Sequence, residues 1–331
     1  MAIHIRRREF IFTLGGAAAA WPLATRAQTS AMPVVGFLRA DTPVASASAV
    51  AAFRKGLSEM GFVEGRNLVI EFRWGQNDRD RMSELAADLI RRKVDVIATP
   101  ESARGALAAK ALTTTIPIVF ATSGDPVQLG LVASLNRPGG NVTGFVDMAN
   151  ELVPKKLGLL HELAPRSARF GVLVSRTYID VDRVTKDAQS AAAAMGRQLD
   201  IVFPGTDREI DAAFSELAQK GADAFLVSND AILAGRRTQI LTLAARHALP
   251  AIYGSRAWAD AGGLMSYGPL LNDQGRQAGI YTGRILKGEK PADMPVARAT
   301  RFEFIINLAT ARAIRIEVPP TLLARADEVI E

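Results

Sequence analysis

The sequence predicts an α/β protein of two doubly wound parallel-sheet lobes, joined by a hinge of close crossovers. Three observations predict it. The chain has 331 residues, and at roughly 100–200 residues per domain that leaves room for two cores. Short, near-continuous apolar runs alternate with stretches of helical periodicity, the pattern of parallel strands covered on both faces by helices. The alternation runs through twice, with a break near 148–165.

The first pass opens on the apolar run 34–38, a strand. Val50, Phe53, Leu57 and Met60 then recur at spacings of 3, 4 and 3, one face of a helix. A strand follows at 68–72. Met82, Leu85, Ala86, Leu89 and Ile90 form the next apolar stripe, with Arg81, Glu84, Asp88 and Arg91 facing away. Strand 94–98, helix 102–113 and strand 116–120 complete the pass. The second pass reads strand 170–174, helix 181–195, strand 199–203, a helix carrying Ile210, Phe214 and Leu217, strand 224–227, helix 236–248 and strand 251–253. The tail holds a helix at 273–287, a passage through Pro291 and Pro295, and a strand at 302–306. It is too short for a third domain and is expected to cross back and complete both lobes. The lobes are expected at 32–148 with 269–301, and at 149–268 with 302–331.

Residues 1–27 read as an export signal. Arg6, Arg7 and Arg8 precede an uncharged stretch from Phe10 to Thr25, shorter than the ~20 residues that span a bilayer. Thr25-Arg26-Ala27 places small residues where a signal peptidase cuts. Arg7-Arg8 before the apolar Phe10-Ile11 pair resembles a twin-arginine signal. Cleavage after Ala27 removes four Arg and Glu9, so the net charge of +6 falls to +3, with 36 basic residues against 33 acidic. No later uncharged stretch reaches 20 residues. A periplasmic protein with no membrane anchor is expected.

Composition narrows the function. A 48% hydrophobic and 22% charged chain is globular. The absence of cysteine excludes disulfides, thiolate–zinc sites, iron–sulfur clusters, thiol nucleophiles and a lipidated N-terminal Cys. There is no G-x-G-x-x-G, no P-loop and no G-x-S-x-G elbow. His161, beside Glu162, reads as solvated, and His247, in register with Ile240, Leu243 and Ala244, as a partly buried structural His. Asp207 and Glu209 open a helix, where they complement its dipole. The basic residues are dispersed without interleaved aromatics, so no nucleic-acid partner is expected. Neither cofactor nor metal is expected, and no catalytic set is visible.

Several passages together carry a resemblance. They are Gly124-Asp125-Pro126-Val127-Gln128-Leu129-Gly130-Leu131-Val132, Arg137-Pro138-Gly139-Gly140-Asn141-Val142-Thr143-Gly144, Gly262-Gly263-Leu264-Met265-Ser266-Tyr267-Gly268, and Ile285-Leu286-Lys287-Gly288 with Lys290-Pro291-Ala292-Asp293. With Ile305-Ile306-Asn307-Leu308-Ala309-Thr310-Ala311 near the end, they resemble the ABC-transporter substrate-binding proteins of the tryptophan-binding type. The resemblance covers about 32–331. It implies the type I periplasmic binding protein fold with about three hinge crossovers, a small-molecule ligand between the lobes and an ABC permease as partner; a monomer is expected.

In open parallel sheets, ligands bind beyond the carboxyl ends of the strands. The candidate contacts in the first lobe are therefore Ala40 and Asp41, then Thr99, Glu101 and Ser102, then Thr122, Ser123 and Asp125. In the second lobe they are Ser175 and Tyr178, Asn229 and Asp230, and Tyr253. Some have a second reading. Asp125 before Pro126 suits a helix cap, as do Asn229 and Asp230 before the helix near 235. Each Tyr suits a core or rim position as well as a planar ligand. Glu101 stands where similar proteins tend to have small hydroxyl residues or Gly. Its charge faces either the ligand, where it would hold an ammonium, or solvent.

The expected function is a periplasmic solute receptor of an ABC importer, taking an amino acid or an aromatic or carboxylate-type ligand. One alternative is an exported two-lobed α/β enzyme, which needs an acid, base or nucleophile in the cleft. Another is a ligand sensor feeding a receptor kinase or chemoreceptor. A transcriptional regulator with a similar core needs a DNA-reading helix where the export signal stands.

Overall fold

The computed structural model describes residues 32–331 apart from Ala45, Asn77, Arg79, Leu271 and Asn272. The expected export signal lies outside the described residues. Five strands come first: β1 (Val34–Arg39), β2 (Val69–Trp74), β3 (Val96–Thr99), β4 (Ile118–Thr122) and β5 (Val142–Val146). Five more follow: β6 (Arg169–Leu173), β7 (Gln198–Val202), β8 (Ala224–Val227), β9 (Ala251–Tyr253) and β10 (Met265–Pro269). The chain closes with β11 (Ala297–Arg298), β12 (Phe302–Asn307) and β13 (Glu328–Ile330). They form two sheets, ordered β11-β5-β4-β3-β1-β2 and β13-β12-β10-β9-β8-β6-β7.

The chain passes between the sheets three times, after β5, after β10 and between β11 and β12. The first sheet is parallel throughout. The second departs from the expected parallel order at one pair, because β10 and β12 run antiparallel. The topology requires this. β10 leaves the second sheet at the crossover end and β12 enters it there, so they point in opposite directions.

Each sheet is apolar on both faces. Val35 and Phe37 of β1 join Phe53 and Tyr281 in one cluster, while Leu38 joins Leu85 and Leu89 in another on the opposite face. That alternation is the period-2 geometry of a strand between two helix layers. Phe170 and Val172 of β6 likewise point to one cluster, Leu173 to another. Among the described residues, no helix is long and apolar enough to cross a membrane. Two local expectations change. Asp125 accepts from the Val127 and Gln128 amides at 2.8 and 3.3 Å, but it caps a turn, not a helix. His247 is exposed, at the end of the Arg237–Arg246 helix, with its ring over Phe214.

The returning tail is locked to the first sheet by two helices, Ala47–Glu59 and Asp273–Leu286. They meet backbone to backbone. A Cβ on Gly56 would overlap the Arg276 carbonyl, and one on Gly279 the Phe53 carbonyl. Arg276 seals the contact by donating from Nε and Nη2 to the two Glu59 carboxylate oxygens at 2.8 and 2.7 Å. Helix propensity alone favours Gly279→Ala by ~1 kcal/mol. Overpacking of this contact should reverse the sign and cost about 1–3 kcal/mol, read as a lower midpoint of chemical denaturation. A stabilised variant would show that the helices can move apart freely.

Candidate functional site

The carboxyl ends of the strands of both sheets open on one cavity of about 430 Å³. Its walls are the segments that follow β1, β3, β4 and β5 from the first sheet and β6, β8, β9 and β10 from the second.

The first wall is organised by Arg39, the last residue of β1, which is only 5% exposed. Its Nε and Nη2 donate to the two Asp41 carboxylate oxygens at 3.0 and 2.6 Å. Its Nη1 donates to the Pro100 carbonyl at 3.0 Å and to Glu101 Oε2 at 2.9 Å. The Ser46 hydroxyl donates to Asp41 as well, at 2.5 Å. Burial works against the guanidinium charge, but Glu101 and Asp41 outweigh it and hold Arg39 above its ordinary value. The segment Thr99-Pro100-Glu101-Ser102 closes with Ser102 N–H donating to the Thr99 carbonyl at 3.3 Å. Glu101, third in this turn after Pro100, has φ +54°, the place a type II turn normally gives to Gly. The left-handed backbone costs ~1 kcal/mol or more, and the ion pair to Arg39 offsets part of it. Ser102 then caps the Ala103–Leu112 helix, its hydroxyl accepting from the Gly105 amide.

At the floor lies Asp147, directly after β5 and 4% exposed. Its carboxylate accepts from the Ala149 amide at 2.9 Å, from the Ser123 hydroxyl at 3.0 Å and from Gln274 Nε2. Gln274 Nε2 also donates to Ser123 Oγ at 3.2 Å. Burial pushes the Asp147 carboxyl up to about 6, the three donors pull it down, and the Glu101 charge adds to the rise. Lys156, fully buried in the Val153–Leu163 helix behind this floor, has no hydrogen-bond partner. Burial lowers it to about 8 against the pull of Asp147.

The second wall carries the aromatic surface. The Tyr178 hydroxyl bonds the Asn150 side-chain amide at 2.7 and 2.9 Å, and Asn150 Nδ2 donates to Asp180 at 2.6 Å. Burial holds the Tyr178 phenol above its ordinary range. Trp258 stacks on Tyr253 with centroids 4.6 Å apart and planes 9° apart. Ser228 Oγ, Asn229 Nδ2 and Gln274 Oε1 line the cavity, are buried, and have no hydrogen-bond partner. The walls touch. Arg104 Nη2 donates to the Thr177 carbonyl at 2.8 Å, and Gly124 lies so close to the Asp180 carboxylate that a Cβ would overlap it.

Nine of the expected residues line this cavity: Ala40, Asp41, Glu101, Ser102, Thr122, Ser123, Tyr178, Asn229 and Asp230. Asp230 also caps the Ala231–Gly235 helix, accepting from the Ile232 amide at 2.6 Å. Four do not line it. Thr99 and Tyr253 are the last residues of their strands and turn into the layers, with Tyr253 packed in the core on Trp258. Ser175 is fully buried and bonds Thr177 at 3.1 Å. Asp125 caps its turn off the cavity wall. Asp147, Gln274 and Trp258 line the cavity without having been singled out from sequence. Asp147 directly follows an apolar run broken by Thr143 and Gly144, and that run was the available signal.

With the geometry in place, comparison with known proteins is specific. The family of ABC transporter substrate-binding proteins matches residues 37–330. A tyrosine-binding protein from Clostridioides difficile is 29% identical over 270 residues, 80% of this chain and 76% of that relative. A ligand-free, open substrate-binding protein with adhesive properties from Clostridium difficile superposes with a TM-score of 0.67 at 28% identity, over 90% of this chain and 99% of that one. An ABC domain from Streptococcus pneumoniae in complex with L-Trp superposes at 0.80 and 24% identity, over the same 90% and 99%.

The Arg39 cluster makes a prediction that needs no ligand. Arg39→Met leaves Asp41 and Glu101 without their cation and should cost ~3 kcal/mol. Glu101→Gln should cost under ~1 kcal/mol, because that carboxylate is 38% exposed. Chemical denaturation of the two variants checks the order, and equal losses would refute it.

Proposed function

The chain belongs to the family of ABC transporter substrate-binding proteins, and from that premise we propose that it captures an aromatic amino acid in the cavity between its two sheets. The observation that carries this reading is the chemistry of the walls. Both walls carry charged and hydroxyl groups, the rings of Tyr178 and Trp258 follow the second sheet, and three buried polar atoms have no protein partner. A bound molecule with one flat face and several hydrogen-bonding groups would satisfy them. The named ligands of the two relatives, tyrosine and L-Trp, support the same class. On this reading the export signal sends the chain to the periplasm, where it acts as an unanchored monomer. The contacts Arg104–Thr177 and Gly124–Asp180 hold the cleft closed over the ligand and bring the two lobes into one surface for an ABC permease. No chemical step is needed.

The test is a thermal-shift screen of the purified protein with tyrosine, tryptophan and phenylalanine against glycine and glutamate. A ligand present at 100 times its Kd stabilises the folded state by about 2.7 kcal/mol, several degrees in Tm for a chain of this size. At least one aromatic amino acid should give that rise and the two controls should not. Turnover of a small molecule with no shift from any amino acid would refute the receptor reading.

A further inference from the structure

We propose that the Asp147 carboxylate and the Gln274 amide oxygen form a receiver for a cationic nitrogen, so that the cleft selects its ligand by an ammonium group more than by a carboxylate. This rests on the receptor reading above and adds which end of the ligand is read.

The charges on the cavity wall are unequally paired. Each arginine is already committed to a protein acceptor. Arg39 serves Asp41, Glu101 and the Pro100 carbonyl. Arg104 donates to the Thr177 carbonyl, and Arg237 to the Ala257 carbonyl at 2.9 Å with its guanidinium over the Trp258 ring. The acids differ. Asp41 and Glu101 share Arg39, Asp273 lies 3.8 Å from Arg276, and Asp230 caps a helix. Asp147, 4% exposed, forms no ion pair with an arginine or lysine among the described residues. Its hydrogen-bond donors, an amide N–H, a hydroxyl and a carboxamide, are all neutral. A buried carboxylate with only neutral donors keeps much of its desolvation cost.

Gln274 supplies the second observation. Its Nε2 is spent on Asp147 and Ser123, and its Oε1, buried, has no partner. Two acceptors from different crossovers therefore both border the cavity, joined through the bond from Gln274 Nε2 to Asp147. Lys156 lies behind the floor within the electrostatic reach of Asp147, on the side away from the cavity. It does not line the cavity and has no hydrogen bond to Asp147. A primary ammonium carries three donors and would satisfy both acceptors.

Isothermal titration of the unmodified protein with a matched series tests this. Tyrosine has both groups, tyramine keeps the ammonium, and 3-(4-hydroxyphenyl)propionate keeps the carboxylate. Loss of one partner of a buried charge pair weakens binding by about 30-fold or more. The propionate should fall by that factor against tyrosine, and tyramine by clearly less. Asp147→Asn should weaken tyrosine by a similar factor and leave the propionate unchanged. The ligand series carries the test should that variant not fold, and Gln274→Met supplies a second substitution that should weaken the amines. Propionate binding equal to or tighter than tyramine refutes the inference and leaves the receptor reading intact. So does unchanged tyrosine affinity in a folded Asp147→Asn protein. If none of the three compounds binds, the aromatic amino acid reading fails and this inference fails with it.

Discussion

The close approach of the Ala47–Glu59 and Asp273–Leu286 helices sets where everything else can be. Their backbones touch at Gly56 and Gly279, so the returning chain is held against the first sheet with almost no freedom to slide. That single contact decides where the second crossover ends, since Asp273 and Gln274 open the helix it anchors. It also decides where the third begins, since β11 can reach β5 only after that helix has run its length beside the sheet. The cavity floor is then a consequence. Gln274 is delivered to Asp147 by a packing contact between backbones, not by any preference of its own side chain.

The first wall follows a different logic. It is held by charge, and the charge is inside. A buried guanidinium is weak evidence for stability when its partners are poor, but Arg39 has three oxygen-bearing neighbours in fork geometry. Those bonds tie the segment after β1 to the segment after β3. They also explain Glu101. A Gly there would relax the backbone, but it would leave Arg39 with Asp41 and one carbonyl. The same pairing removes Arg39 from use as a carboxylate clamp. An arginine on a cleft wall does not by itself imply an anionic ligand.

Much of the fold was legible in the sequence, and two of the strands it did not show share a cause. The Met82–Ile90 stripe predicts a helix because five apolar side chains face one way, and Met82–Arg91 is that helix. The spacing rule fails at β5, Val-Thr-Gly-Phe-Val, and β10, Met-Ser-Tyr-Gly-Pro. Each carries a glycine pressed on a neighbouring backbone carbonyl, Gly144 on Phe120 in β4 and Gly268 on Gly254 just after β9. Close approach demands those glycines, and they interrupt the apolar run by which a buried strand is read. Missing β5 hid Asp147, the residue directly after it. Thr99 and Tyr253, also expected at the site, end their strands and turn into the layers, while Glu101 and Gly254 beyond them line the cavity. Gln274 had no local signal, because what makes it a site residue is a helix contact more than 200 positions apart in the chain.

The three crossovers are also tied to one another, and this joins binding to shape. Arg298, entering the third, donates to the Met148 sulfur at 3.1 Å and lies 3.7 Å from Glu151 in the first. Gln274, entering the second, holds Asp147 in the first. A displacement of one strap must therefore strain the others. If Asp147 is also where the ligand's positive charge rests, the same carboxylate reads the ligand and fastens the hinge. An ammonium beside Asp147 would strengthen the charged form that Ser123, Gln274 and the Ala149 amide grip. It would thereby stiffen the crossovers in the arrangement that brings Arg104 to Thr177. A hinge made of flexible linkers could not convert one buried charge into a fixed relation between two lobes, whereas short straps hydrogen-bonded through that charge can.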